Sequence, residues 1–275
     1  MDKSDFIFSE DSTSADLVEL HFNESTFGLA EFSRVIDEHF GGGRALQCLE
    51  VGSGSGMLLA RMKDRYPAHS FEGIEPIGQG FARFGSSLDM VESKYALTIH
   101  HTTFEAFETT SAFDFIFSLN VVEHVDSWRT CLAKMHALLR PGGIAAVLCP
   151  NYSFPYEPHY ALPVILTKDL TRKVFRGPID RYDEKNGTSD LWTSLNFIKK
   201  REVIAFCRDH GIKLRFDEAI MSRMVEKLWT DEAFASRQRA LAAPAKLLHR
   251  IGVTRLVESY PLNRLSPYIK ILIEK

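Results

Sequence analysis

The chain has 275 residues, 45% hydrophobic and 25% charged, with a net charge of −3. That length points to one large domain or a domain with a lid, with a core big enough to need neither disulfides nor a structural metal. The near-neutral balance leaves no basic footprint for a nucleic acid, no apolar run is long enough for stable membrane insertion, no leader pattern opens the chain, and the four cysteines (Cys48, Cys131, Cys149, Cys207) form no C-x-x-C pair. Residues 1–29 read as a polar N-terminal tail or lid, with order expected only around Phe6-Ile7-Phe8. A first helix is expected over Ala30–Phe40, where Phe32, Val35, Ile36 and Phe40 recur at helical spacing until Gly41-Gly42-Gly43 stops them.

An apolar strand, Leu46–Val51, then runs into Gly52, Gly54 and Gly56 and a helix over Met57–Arg65 that exits at Pro67. Glycine at such a turn lets a ligand lie against the backbone, and free N–H groups at the helix start suit an anionic or oxygen-rich group. The spacing is not the dinucleotide fingerprint G-x-G-x-x-G, because Met57 stands at the third glycine's place. It is not a phosphate-binding P-loop either, because no lysine follows Gly56. A second strand, Ser70–Glu75, ends on an acid nineteen residues beyond Gly56. Such an acid, beyond the carboxyl end of a strand, can accept both hydroxyl protons of a ribose. A third strand is expected over Tyr95–His101 and a fourth over Phe113–Ser118. A helix over Ser127–Leu139 is stopped by Arg140-Pro141-Gly142-Gly143, and Ile144–Cys149 makes a fifth, buried strand. Lys199–His210 reads as an amphipathic helix, Ile212–Phe216 as a sixth strand and Tyr268–Glu274 as a seventh. Strands alternating with helices imply an α/β fold, doubly wound around a parallel sheet.

Glu50-Val51-Gly52-Ser53-Gly54-Ser55-Gly56 resembles motif I of the class I S-adenosylmethionine-dependent methyltransferases. Phe113–Val125, with Leu119-Asn120-Val121-Val122-Glu123-His124 at its heart, resembles motif IV of the small-molecule members of the ubiquinone-biosynthesis type. Leu139-Arg140-Pro141-Gly142-Gly143 is a further mark of that family. The resemblance implies a Rossmann-like seven-stranded sheet of order 3-2-1-4-5-7-6 with the seventh strand antiparallel. It implies S-adenosyl-L-methionine as cofactor and S-adenosyl-L-homocysteine as product. By the same resemblance Glu50, Gly52, Ser53, Gly54 and Gly56 hold the methionyl end, and Glu75 with Pro76 holds the ribose. Thr103, Phe104 and Glu105 line the adenine, and Leu119, Asn120 and Val121 pass under the sulfonium.

The methyltransferase domain is then residues 30–275, with substrate-cap inserts at about 151–196 and 221–266. Two histidines are candidate catalytic bases, His124 after the fourth strand and His159 in a Pro- and Tyr-rich loop after the fifth. A packing or cofactor-positioning role for His124, and a stiffened lid with inward-packed aromatics around His159, remain open beside those readings. Asn151, Tyr152, Tyr156, His159 and Tyr160 are candidate acceptor-binding residues. No metal is expected, because some quinone-type relatives complete a divalent site with an acid three residues before the Glu-His pair, and Asn120 stands there. The second insert carries Arg237, Arg239, Lys246, Arg250 and Arg255 among apolar residues, which suits either a membrane or anionic lipid, or an ordinary solvated helix face. The reading is O-methylation of a small molecule by a cytoplasmic monomer or homodimer, without nucleic acid. N- or C-methylation of a small molecule or a lipid-linked sugar, an NAD-dependent oxidoreductase and a catalytically inactive partner protein are the alternatives.

Overall fold

The computed structural model describes residues 1–6, 12–76, 85–186, 188, 191–237, 239–259 and 261–275. Ile7 and Phe8, and the side chains of Arg237 and Arg239, lie outside what is described. In chain order, the long helix α1 (Ser12–Phe40) precedes β1 (Gln47–Val51), α2 (Met57–Arg65), β2 (Ser70–Ile74), α3 (Gly85–Tyr95), β3 (Thr98–His100) and β4 (Phe113–Leu119). Then come α4 (Trp128–Leu138), β5 (Leu139–Pro150), a small hairpin of β6 (Tyr156–Glu157) and β7 (Leu162–Pro163), and helices α5 (Lys168–Val174), α6 (Arg176–Asn186) and α7 (Leu191–Ser194). The chain finishes with α8 (Lys200–Asp209), β8 (Lys213–Phe216), α9 (Ile220–Thr230), α10 (Glu232–Arg237), α11 (Arg239–Arg250), α12 (Val253–Val257) and β9 (Tyr268–Glu274). The main sheet has seven strands in the order β3-β2-β1-β4-β5-β9-β8, the order expected once the separate β6-β7 hairpin is set aside.

The chain divides into two units, one of residues 1–121, 130–146 and 273–275, the other of residues 122–129 and 147–272. In the first, β1 pairs in parallel with β2 and β4, and β2 with β3, in registers that set Glu50 beside Gly73 and Phe117. Phe115 and Phe117 stack at 5.3 Å between centroids, and Phe32 of α1 meets Phe117 at 5.1 Å, so one apolar side of this sheet is aromatic. Asp114 is fully buried and ionic, held by Arg44 at 2.9 Å, Arg140 at 2.8 Å and the amide of Gln47 at 2.8 Å. Arg140 of the Pro-Gly-Gly turn is therefore an anchor for β4.

Two expected boundaries need correction in this unit. The first helix begins at Ser12, not at Ala30, so most of the expected tail is helix. Gly28 marks its interior because a Cβ there would come within 2.9 Å of Leu58 and 3.0 Å of Leu119. Arg61 of α2 fastens the same stretch, donating to Ser25 and Thr26 at 2.9 and 2.7 Å with its guanidinium 4.5 Å from the centre of the Phe22 ring. The fifth strand starts at Leu139 rather than Ile144. Its glycines pair with the chain's end: the Gly142 N–H donates to the Lys275 carbonyl at 2.8 Å, and the Lys275 N–H donates to Gly143 at 3.1 Å.

In the second unit the far end of β5 meets the start of β9, where the Asn151 N–H donates to the Pro267 carbonyl at 2.9 Å. Pairing of start with end at both places makes β9 antiparallel to β5. The first insert is the β6-β7 hairpin with α5–α7, and the second is helical from α9 to α12. The last two of those helices leave Leu247, Ile251 and Leu256 exposed alongside Arg250 and Arg255. Among the described residues no helix is long and apolar enough to cross a membrane. All four cysteines are buried and none forms a disulfide.

Candidate active site

The turn after β1 is shaped by positive φ angles at Gly52 (79°), Gly54 (53°) and Gly56 (73°), a backbone that favours glycine at each place. The amides of Gly52 and Ser53 both donate to the Ile74 carbonyl, at 2.9 and 3.0 Å, and lock the turn to the end of β2. Gly52 lies flat on Val121, which a Cβ would strike at 2.2 Å. Gly54 is different: nothing stands within 4 Å of where its Cβ would be. Its N–H donates to Glu75 Oε2 at 2.8 Å. Gly56 caps α2 with no side chain over the helix end, so the first N–H groups of α2 are served by no capping side chain.

Two carboxyls flank this turn. Glu50 is buried on β1, and its Oε2 has no hydrogen-bond partner. Burial pushes its pKa up to about 8, with the Ser53 hydroxyl pulling down and the charge of Glu75 adding to the rise. Burial pushes Glu75 up to about 7, against the opposing Gly54 N–H and His101. A buried acid with an unused oxygen is costly unless something polar meets it. Pro76 is exposed just beyond Glu75. Thr103, Phe104 and Glu105 form a tight turn after β3, in which Phe104 is buried and the other two are exposed. Lys134 holds that turn through the Phe104 and Glu105 carbonyls at 2.6 and 3.0 Å. Leu119 ends β4 and Asn120 and Val121 follow it, all three half-buried, and Asn120 has φ 55°. Asparagine tolerates that left-handed backbone better than most residues, which is a local reason for its presence.

The second unit gathers the other candidates. His124 and His159 pack edge to face at 5.0 Å between ring centroids. The His159 Nδ1 lies 2.6 Å from Glu157 Oε1, an acceptor, so Nδ1 carries a hydrogen. The His124 Nδ1 lies 2.9 Å from the Ser194 hydroxyl, which already donates to the Leu191 carbonyl at 2.9 Å. That hydroxyl therefore accepts from the His124 Nδ1–H. Burial holds His124 well below the usual histidine range, with the nearby charges of His159 and Lys168 adding to the effect. Asn196 clamps the loop that carries His124: its side chain donates to the Val122 and Val125 carbonyls at 2.7 and 3.0 Å, and its backbone N–H to Glu123 at 2.8 Å.

The expected acceptor-binding set divides on inspection. Asn151 has no capacity left for a ligand: its amide donates to Arg264 and Ser266 carbonyls and its oxygen accepts from the Ser153 and Lys200 amides. It is a structural tie, which corrects the sequence expectation. Tyr160 is buried and gives its hydroxyl to Asp183 at 2.7 Å. Tyr152 is buried against Phe197 at 4.3 Å and donates to Glu157 at 3.2 Å. Tyr156 is half-buried in β6. Glu157 is the residue sequence reasoning undervalued. Fully buried, it accepts from Tyr152, from His159 and, at 2.7 Å, from the Tyr160 N–H. Ser194, Asn196 and Lys168 carry no sequence signal for their roles, being polar residues in an insert without a motif.

Comparison with known proteins places this geometry. The family model described as a methyltransferase domain matches residues 26–218. An uncharacterised protein of Mycobacterium tuberculosis (strain ATCC 25618 / H37Rv) is 38% identical over 231 residues, which is 82% of this chain and 78% of that protein. A ubiquinone biosynthesis O-methyltransferase of Rhodopseudomonas palustris (strain BisB5) is 29% identical over 132 residues, covering 48% of this chain and 49% of its own. Among solved structures, the plantazolicin methyltransferase BpumL, in complex with a triazolic desmethylPZN analog and SAH, superposes with a TM-score of 0.54 at 10% identity, over 92% of this chain and 85% of that one. At that identity the likeness is one of fold.

Proposed function

The chain belongs to the methyltransferase-domain family, and from that premise we propose that it methylates an oxygen of a small-molecule acceptor with S-adenosylmethionine as donor. The turn fits such a cofactor on its own terms. Glu50 offers an unused buried carboxylate oxygen, Gly54 an open backbone face, and α2 an uncapped N-terminus. By this reading Glu50 and the helix start hold the methionyl end, Glu75 the ribose, the turn at Thr103–Glu105 the adenine, and Asn120–Val121 the sulfonium side. When bound, S-adenosylmethionine supplies a methyl group already activated by its positive sulfur. The chain's own work is to hold the acceptor in line, exclude water and dispose of the acceptor's proton.

The observation that carries the donor half is the Glu50–Gly54–Glu75 arrangement. Oxygen as acceptor atom is supported by the second unit, where the imidazoles of His124 and His159 lie 5.0 Å apart, residues of a type suited to taking up a hydroxyl proton. The residues beside them, Tyr156 foremost, line the acceptor. The exposed Leu247, Ile251 and Leu256 beside Arg250 and Arg255 favour a second reading of the acceptor, a lipid-linked small molecule with an anionic group.

Calorimetry tests the proposal. S-adenosylhomocysteine should bind the folded protein and raise its melting temperature, NAD should do neither, and Glu75→Ala should weaken binding at least ~10-fold, the loss expected for a charged hydrogen-bond partner. A folded protein that gives no heat with either the donor or its demethylated product overturns the reading.

A further inference from the structure

We propose that the outward face of α11 and α12 docks the protein on an anionic lipid bilayer, seated among the headgroups without spanning them. These helices belong to the second unit and lie beyond residues 26–218, the part of the chain that the family accounts for, so the fold common to the family does not require them. The inference goes beyond the acceptor reading, because it concerns the bilayer surface itself and needs no methyl donor.

A surface helix ordinarily turns its apolar stripe inward and its charges to water. In α11 that order is reversed. Lys246 and His249 are half-buried and face α9: the Lys246 ammonium lies 5.4 Å from the centre of the Trp229 ring, and the His249 ring 5.5 Å from it. The His249 Nδ1 also lies 2.9 Å from the Thr254 hydroxyl of α12. The large aliphatic residues face out. Leu247 and Ile251 are 60% and 64% exposed, with Leu248 exposed beside them. The Ile251 N–H donates to the Leu247 carbonyl at 3.1 Å, so the helical turn carries the stripe one residue past the end of α11. Gly252, at φ 81°, turns the chain into α12, where Leu256 is 57% exposed. Leu262 and Leu265, exposed in the 3-10 turn that follows, add to the apolar surface. Exposed aliphatic surface of this extent marks a place of interaction.

Charge selects the partner. Residues 239–265 hold five cations, Arg239, Lys246, Arg250, Arg255 and Arg264, and a single acid, Glu258, in a chain whose net charge is −3. Glu258 is engaged by the Ser222 N–H at 2.7 Å. Arg250 and Arg255 are exposed among the aliphatic residues. An arginine stem can lie along apolar surface while its head reaches a lipid phosphate. Trp229, 41% exposed beside α11, is of a type that settles at headgroup level. A second copy of the chain on this face would set the same arginines against one another. An acidic protein would satisfy the charges, but aliphatic side chains spread over three elements suit a fluid apolar phase better than a fixed set of pockets. With 12 residues, α11 is too short to cross a membrane and lies in its plane.

The test is flotation of the full-length protein with vesicles of phosphatidylcholine containing about 30% phosphatidylglycerol, against vesicles of phosphatidylcholine alone. Binding to the anionic vesicles should be at least ~10-fold tighter, and most of that difference should vanish as salt is raised from ~0.1 to ~0.5 M. Trp128 and Trp192 are buried, so Trp229 reports the contact: its emission should shift to shorter wavelength and be quenched by lipids brominated along their acyl chains. Arg250→Gln with Arg255→Gln should weaken binding at least ~10-fold. Leu247→Gln with Ile251→Gln, which leaves the charge unchanged, should do the same. All four side chains are exposed, so both variants should melt within about 2 °C of wild type. Folded protein that ignores the anionic vesicles leaves the face to an acidic protein partner and overturns the proposal, as does vesicle binding indifferent to the Leu247→Gln, Ile251→Gln pair. A wild type that sediments as a dimer, with that variant a monomer, assigns the face to a second copy and overturns it too. Vesicle binding by protein that takes up no S-adenosylhomocysteine supports this inference and strikes the donor reading, so the two fail separately.

Discussion

Glu50 and Glu75 titrate in the wrong range for carboxylates, near 8 and 7, and that has a sign. Below the ordinary carboxylate pKa both are protonated whether the chain is folded or not. As pH rises from there, the unfolded chain gives up these protons first, while the folded chain holds them until pH 7–8. The folded state binds more protons across that window, so the ligand-free protein should lose stability between about pH 4.5 and 8 from these two groups. A cationic or hydroxyl-donating ligand favours their ionised forms, so S-adenosylhomocysteine binding should release protons near neutrality. Calorimetry in buffers of different ionisation enthalpy reads that release directly; no buffer dependence would contradict the placement of the ligand on these acids. The glycines separate folding from binding. Gly52→Ala would drive a Cβ into Val121 at 2.2 Å and should destabilise by about 2–4 kcal/mol in urea unfolding. Gly54→Ala meets only its own positive φ, a cost of ~1–2 kcal/mol, yet should weaken S-adenosylhomocysteine binding more than ~10-fold because it fills the open face. At this scale the motif glycines were legible because a backbone demand leaves glycine as the residue of choice. That Asn120 takes a φ of 55° was not legible, since such a backbone angle leaves no trace in composition. Asn151 misled for the opposite reason: polar residues near a site look alike until their hydrogen bonds are counted.

At the scale of elements, α2 and β9 coincide with the runs read from sequence, because each is bounded by its own turn chemistry and carries its own apolar pattern. The start of β5 was missed because it depends on pairing Gly142 and Gly143 with Lys275, more than 130 residues away in sequence. Local signals cannot contain such a partner. The extent of α1 was missed for a related reason. Its polar first half and Gly28 argue against a helix on propensity alone. Packing against α2 overrides that, with Gly28 as the contact point. Gly28→Val should therefore destabilise by about 1–3 kcal/mol even though it replaces the poorest ordinary helix former, because the added methyls press on Leu58 and Leu119. Chemical unfolding measures it, and a stabilised variant would show that α1 and α2 are less closely apposed than described. Alanine at the same position tests the balance more finely, since helix propensity and steric cost then nearly cancel.

Across the whole molecule, the donor half is legible and the acceptor half is not, and the cause is how each is assembled. The residues proposed to face the nucleotide fall in short contiguous runs, Glu50–Gly56, Glu75–Pro76 and Leu119–Val121, so their motifs carry the information. The acceptor cluster is put together from Glu123 and His124, from Glu157 and His159, and from Ser194 and Asn196, segments separated by thirty or more residues. His124 and His159 were picked out singly, but nothing in the sequence brings them together or points to Ser194 and Asn196. The seven-stranded sheet order was expected from the family resemblance of those same short runs, and the sheet has it. The proposed assignment of donor residues to one unit and acceptor residues to the other can be measured with one variant from the second. Asn196→Ala removes the hydrogen bonds to the Val122 and Val125 carbonyls and should cost ~1–3 kcal/mol of stability. It should also loosen the loop bearing His124, and with it the fit of the acceptor. The residues proposed to bind the donor belong to the other unit, so S-adenosylhomocysteine affinity should stay within about twofold of wild type. A loss of S-adenosylhomocysteine binding in step with the loss of stability would mean that the two halves are energetically one site. Separate losses would mean that the acceptor half can diverge to new substrates on an unchanged donor half.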